Sequence, residues 1–105
     1  MYEAGDVVLS HIPFTDSAQI KVRPALILYE YYGNFVVAGI TSNEKMHGVP
    51  VSTSEGLPFD SIIKTNYIFS VTAHSIEKRL IKLSNAKCKE VYRALITHLR
   101  HLNRV

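Results

Sequence analysis

The hydrophobic period of this 105-residue chain changes once, near residue 84. Before that point, apolar residues come in short runs broken by Pro, Gly and polar clusters, the pattern of strands and turns. After it, Cys88, Val91, Tyr92, Leu95, Leu99 and Leu102 recur at spacings of three and four, the pattern of one amphipathic helix. Many short strands followed by one helix predict a mainly β fold, a small barrel or rolled sheet with the helix packed on it. Ser84 or Asn85 serves as N-cap by accepting a hydrogen bond from a first-turn N–H. Lys87, Lys89, Arg93, Arg100 and Arg104 fall on the polar side of the helix, and the last two suit the negative end of its dipole.

The strand region divides at its turn signals. Residues 6–12 read as a first strand, and residues 14–22 as a polar loop or the splayed ends of a hairpin. Arg23-Pro24-Ala25-Leu26-Ile27-Leu28-Tyr29 is a continuous apolar run after its arginine, as in a strand covered on both faces. Gly33-Asn34 marks a turn into the strand at 35–41, and 42–48 is a second polar loop. Pro50 puts the short segment 49–52 at a sheet edge or bulge. Residues 54–58 form a third loop. Further strands are expected at 60–64, 67–71 and 79–83.

Length and composition narrow the function classes. One domain over residues 1–105 is expected, with enough apolar residues, 47%, for a core without staples. A single cysteine, Cys88, leaves no intramolecular disulfide and suits a reducing cytoplasm. No run approaches the roughly 20 apolar residues of a membrane span, so no membrane association is expected. His11, His47, His74, His98 and His101 show no zinc-motif spacing, and no metal site or cofactor is expected. Phosphate-binding glycine loops and the G-x-S-x-G elbow are missing from the sequence. Charge is uneven. Residues 1–52 hold three Lys/Arg against five acids, a net of −2; residues 53–105 hold nine against four, a net of +5. Such a basic half attracts phosphate backbones or an acidic protein, or simply solubilises the surface.

One juxtaposition carries chemistry. If residues 23–29 and 35–41 pair as a hairpin, the start of the first lies beside the end of the second. Arg23 then neighbours Thr41 and Ser42, and a guanidinium beside a hydroxyl is suited to a phosphate or oxyanion. The alternative is a strand-end arginine paired with a carboxylate, and hydroxyls that serve only the turn.

Several blocks occur in order: Gly5-Asp6-Val7-Val8-Leu9, Pro13-Phe14-Thr15-Asp16, Lys21-Val22-Arg23-Pro24-Ala25-Leu26-Ile27-Leu28 and Ala38-Gly39-Ile40-Thr41-Ser42-Asn43. Ser61-Ile62-Ile63-Lys64-Thr65 and Ile68-Phe69-Ser70-Val71 follow. Together they resemble the MazF/PemK-like toxins of type II toxin–antitoxin systems over almost the whole chain. The resemblance implies an SH3-like barrel with added helices, a homodimer, and sequence-selective, metal-independent cleavage of single-stranded RNA. It implies an acidic, partly disordered antitoxin as inhibitor. The family's catalytic arginine matches Arg23 and its catalytic threonine or serine matches Thr41, with Ser42 as the neighbouring hydroxyl. Lys64 and Thr65 match a segment along the RNA path, and Thr15 and Asp16 lie in an RNA-facing loop that here lacks the glycine-rich turn of many members. His11 and Asp16 are both candidates to accept the 2′-OH proton. Two other functions share the fold: a non-catalytic toxin that grips a protein such as DNA gyrase, and a plain nucleic-acid binder.

Overall fold

The computed structural model describes residues 1–13 and 20–104. Six strands form one antiparallel sheet in the order β4-β5-β3-β2-β1-β6: β1 (Asp6–Pro13), β2 (Ile20–Tyr31), β3 (Asn34–Thr41), β4 (Val49–Val51), β5 (Ser61–Thr72) and β6 (Ile76–Lys82). A single helix, α1 (Asn85–Leu99), follows and ends in a 3-10 turn over Arg100–Leu102. The expected mainly β fold with a C-terminal helix is thus a curled six-stranded half-barrel.

The sheet is apolar on both faces because its residues alternate. Val7, Leu26, Ala38, Ile40, Ile63 and Val49 point to one side, where Val91 of α1 and Leu83 complete a core. Val8, Ile12, Ala25, Ile27, Val37 and Phe35 point to the other, where Val71 and Ile76 close over them as the sheet curls. This is why residues 25–27 are buried without interruption. β4 and β6 are the edges, and Pro50 sits on an edge strand as its missing N–H requires. Leu57, in the connection after β4, is buried in the same core as the β6 residues Leu80 and Ile81.

The start of β1 is tied to β6 by a buried carboxylate. Asp6 Oδ2 accepts from the Glu3 N–H at 2.9 Å, and Oδ1 lies 3.6 Å from Lys82 Nζ and 3.7 Å from Arg79 Nη1. Lys82 also pairs with Glu3. Three cations of the basic half or their neighbours are therefore spent on the fold: Arg79, Lys82, and Lys87, which donates to the Pro50 carbonyl at 2.8 Å.

Several elements differ from their sequence limits. Ser84 is the N-cap of α1, its side chain accepting from the Lys87 N–H at 3.2 Å. Of the helical stripe, Val91 is buried, and Cys88 and Leu95 are half-buried against the core together with Ala94. Tyr92, Leu99 and Leu102 are exposed, because the sheet covers only part of the stripe. Burial raises the Cys88 thiol pKa, as for a packing residue rather than a nucleophile. The strands expected at 60–64 and 67–71 are one strand. The polar interval Lys64-Thr65-Asn66 is a bulge within it, leaving the backbone extended. β6 starts earlier than expected, at Ile76. Among the described residues, no helix is long and apolar enough to cross a membrane.

Candidate active site

The β2–β3 hairpin is closed at one end by Tyr32 and Gly33, both with positive φ, so the turn falls one residue before the expected Gly33-Asn34. Pairing from that turn runs Tyr31–Asn34, Glu30–Phe35 and Tyr29–Val36. Carried on unchanged, it would set Arg23 against Ser42. Leu28 is an extra residue on β2, however, and beyond it the pairs are Ile27–Val37, Leu26–Ala38 and Ala25–Gly39. The bulge moves the register by one, so that continued past Ala25–Gly39 it would set Arg23 against Thr41.

The ladder then stops. Pro24 has no N–H with which to extend it, and the two strands part. β2 stays with β1, through Ser10–Arg23 to Pro13–Ile20, while β3 stays with β5, through Ile40–Ile63 and Thr41–Ile62. Two depressions, of about 380 and 440 Å³, open at the divergence, and Arg23, Pro24, Ile40 and Thr41 line both as the saddle between them. The first is completed by Ile12, Lys64, Asn66 and Tyr67 among others; the second by Ser42, Phe59 and Ser61 among others. No acidic side chain among the described residues lines either one.

Tyr67 reaches this site because residue 39 is glycine. A β-carbon on Gly39 would stand 2.6 Å from Tyr67 Cδ2, so only a bare backbone lets the ring lie on β3. The ring contacts Phe69 at a centroid distance of 4.8 Å, and Lys64 Nζ lies 5.6 Å from its centre. An aromatic ring with a cation over its face stands next to a guanidinium and a hydroxyl.

The hydroxyl is oriented. Thr41 Oγ1 accepts from the Asn43 N–H at 3.1 Å, and Asn43 Oδ1 accepts from the Lys45 N–H at 3.1 Å. These contacts start the 42–48 loop as the turn chemistry of the sequence predicts. With an acceptor lone pair so engaged, the Thr41 O–H is left as a donor for a ligand oxygen. Arg23 is exposed, and its Nη1 donates to the Val22 carbonyl at 3.1 Å.

The other expected residues are distributed as follows. Ser42 is exposed and lines only the second depression. Lys64 lines the first. Thr65 lines neither, and its Oγ1 is 3.1 Å from His98 Nε2. His11 pairs with Val22, one step from the Ser10–Arg23 pair, so alternation turns it to the opposite face from Arg23. There its Nε2 lies 2.7 Å from Glu77 Oε1. Thr15 and Asp16 lie outside the described residues. No three His, Cys, Asp or Glu side chains converge among the described residues. The part played by Gly39 and the place of Asn66 were not legible in sequence. Glycine inside an apolar strand was the available signal for the first.

Comparison with known proteins gives a family. Residues 3–99 match the model of the PemK-like, MazF-like toxins of type II toxin–antitoxin systems. No curated protein matches the chain by sequence. Solved structures of similar fold include the Mycobacterium tuberculosis toxin MazF-mt6, at 21% identity, TM-score 0.71, 88% of this chain and 93% of that one. MazF from Deinococcus radiodurans has 23% identity and a TM-score of 0.71 over 93% of this chain and 96% of that one. A mycobacterial endoribonuclease solved with its cognate antitoxin has 15% identity and a TM-score of 0.75 over 94% and 95%. At such identities the likeness establishes the fold; the match over residues 3–99 establishes descent, and the chain belongs to the PemK-like, MazF-like family of toxins of type II toxin–antitoxin systems.

Proposed function

We propose that this toxin is an endoribonuclease that cleaves single-stranded RNA, messenger RNA in the cytoplasm, by attack of the substrate's own 2′-OH on the adjacent phosphorus. The O–P bond to the 5′-oxygen of the next nucleotide breaks as the 2′-O–P bond forms. The products are a 2′,3′-cyclic phosphate and a free 5′-OH, with the proton lost from the 2′-OH balanced by one gained at the leaving oxygen. No water is consumed.

The observation that carries this reading is that Arg23 and Thr41 line one saddle between two depressions with no acidic side chain among their described lining residues. Negative charge builds on the phosphoryl oxygens in the transition state. A guanidinium held there stabilises the transition state more than the ground state. Thr41 donates to a phosphoryl oxygen and orients it. Lys64 adds a second cation, and Tyr67 offers a face on which a base stacks. Ser42 borders the same track on its other side.

The same reading makes the working form a homodimer held in check by an acidic antitoxin, in line with the MazE–MazF complex solved from Deinococcus radiodurans. Incubating the purified protein with a long RNA in the presence of a chelator tests it. The expected result is fragments ending in 2′,3′-cyclic phosphate, and a loss of about 10²–10³ in rate for Arg23→Ala with its melting temperature preserved. Intact RNA, or full activity in Arg23→Ala, overturns the assignment.

A further inference from the structure

Of the nine cations in residues 53–105, Arg79, Lys82 and Lys87 serve the fold, and Lys64 lines the catalytic depression. Lys78 lies on β6, and the other four come on α1 and the segment that ends it. At 3.6 residues per turn, Lys89, Arg93 and Arg100 fall within about 40° of one another around the helix axis, roughly opposite the buried Val91. Arg100 keeps helical backbone angles as the C-cap, so the row is unbroken and runs about 16 Å along the axis. All three side chains are exposed, and among the described residues none of them has an ion pair. The one acid of α1, Glu90, lies 3.3 Å from Lys87 instead. The row does little for the helix itself. Arg100 suits the negative end of the dipole, but Lys89 and Arg93, four residues apart on one face, repel each other.

We propose that this outer side of α1 docks the phosphate backbone of double-helical RNA, and so holds a hairpin while the unpaired segment beside it lies on the Arg23–Thr41 saddle; the second half of this statement rests on the endoribonuclease reading above. Charge complementarity selects a polyanion. Shape selects the duplex. A single strand is held in a groove with aromatic faces for its bases, whereas the side of a helix is convex and no aromatic residue shares the sector of the three cations. Duplex RNA hides its bases and is met through its shape, phosphates and 2′-hydroxyls, which a straight row of cations can reach. Two copies of the chain related by a twofold axis cannot share the row, since cation would face cation. The surface is also near the site. On the other side of α1, His98 Nε2 lies 3.1 Å from Thr65 Oγ1, and Thr65 follows Lys64 of the catalytic depression. About one helix diameter, roughly 10 Å, therefore separates the cation row from the β5 bulge.

Fluorescence anisotropy of a labelled, blunt RNA duplex of about 16 base pairs, the span of a small double-strand-binding domain, tests the surface in the full chain. Affinity falls with salt. The triple variant Lys89→Gln, Arg93→Gln, Arg100→Gln lowers the slope of log affinity against log salt by about one for each cation removed. Lys78→Gln, which takes a charge from β6, changes the slope less than any one of the three. Glutamine forms helix about as well as lysine and arginine, so the triple variant keeps its melting temperature or gains slightly as the repulsion is relieved. Two cleavage substrates then share one single-stranded core, with and without an attached hairpin. The wild type has the lower KM for the hairpin substrate, and the triple variant has the same KM for both, with kcat within about twofold of wild type. The proposal is overturned if the triple variant keeps the wild-type salt slope on the duplex, or if a single strand of equal length depends on the three cations more than the duplex does. Binding of an oligoglutamate peptide, and not the duplex, through these residues also overturns it. Failure of the endoribonuclease reading is a different result, a short single-stranded RNA left intact by a chain that still binds the duplex.

Discussion

The two ends of the β2–β3 hairpin are built from the same pair of strands and behave oppositely. At the turn the strands are joined by two residues and paired up to Tyr31–Asn34. At the other end, Pro24 stops the ladder and each strand follows its outer neighbour. The closed end exposes Tyr29, Tyr31 and Tyr32 to solvent and lines neither of the two depressions. The open end collects a guanidinium, an oriented hydroxyl, an ammonium and an aromatic face. Regular pairing consumes backbone and side-chain contacts in the sheet itself, and a site appears where pairing has to end.

The sharpest way to break this comparison is the Leu28 bulge, whose register, continued past Ala25–Gly39, favours Thr41 over Ser42. Thr41→Val removes a hydroxyl aimed at charge, a loss of about 1.5–3 kcal/mol or roughly 10- to 150-fold in kcat. Ser42→Ala costs less than about threefold by the same inference, and Thr41→Ser stays within a few-fold of wild type. Single-turnover cleavage of one oligoribonucleotide ranks the three. A larger effect at Ser42 than at Thr41 would mean that the register at the open end does not govern catalysis.

A smaller effect is expected at Gly39. Gly39→Ala displaces the Tyr67 ring, which is half-exposed and can swing away, so folding stability changes by less than about 1 kcal/mol. RNA affinity falls by about 1–3 kcal/mol, the worth of one stacked base. Tyr67→Ala does the same, and the double variant is no worse than either alone, since both remove one contact. Fluorescence anisotropy of a labelled, non-cleavable RNA measures all three. Additive losses would separate Gly39 from the ring it admits.

The smallest effect belongs to the closed end. Tyr32 has φ of 50° and is 91% exposed, a left-handed position that asparagine occupies more readily. Tyr32→Asn is expected to add about 0.5–1 kcal/mol of stability, a rise of roughly 2–6 °C in Tm for a chain of this size. Cleavage stays unchanged. Loss of activity in this variant would connect the two ends of the hairpin after all.

Much of this was legible before any coordinates. The change of period at residue 84, a cap at Ser84 or Asn85, a strand over 23–29 covered on both faces and Pro50 at an edge or bulge each follow from a local rule; the structure chooses Ser84 and the edge, and limits the full burial to 25–27. Where expectations slipped, a local rule met a tertiary demand. Strands expected at 60–64 and 67–71 leave Thr65-Asn66 as a break between them, yet Lys64-Thr65-Asn66 is a bulge held within one long strand, with β3 pairing on either side of it and α1 touching it through His98. Leu99 keeps its helical spacing but is exposed, since spacing assigns a face and not the length of sheet beneath it. The excess of cations in residues 53–105 marked the site only in part: Arg79, Lys82 and Lys87 serve the fold, Lys64 lines the first depression, and the saddle's own cation, Arg23, comes from the acidic half.

By itself, the amino-acid order determined that strands precede one helix, that residues 23–29 and 35–41 would be neighbours, and that an arginine and hydroxyls would meet at their ends. Which hydroxyl stands opposite the arginine, how the strands part, and which distant ring comes to rest on Gly39 were decided only in three dimensions. The physical reason is that pairing partners, bulges and steric admission depend on atoms far apart in the chain: one extra residue at Leu28 moves a register, and one absent β-carbon at Gly39 makes room for Tyr67.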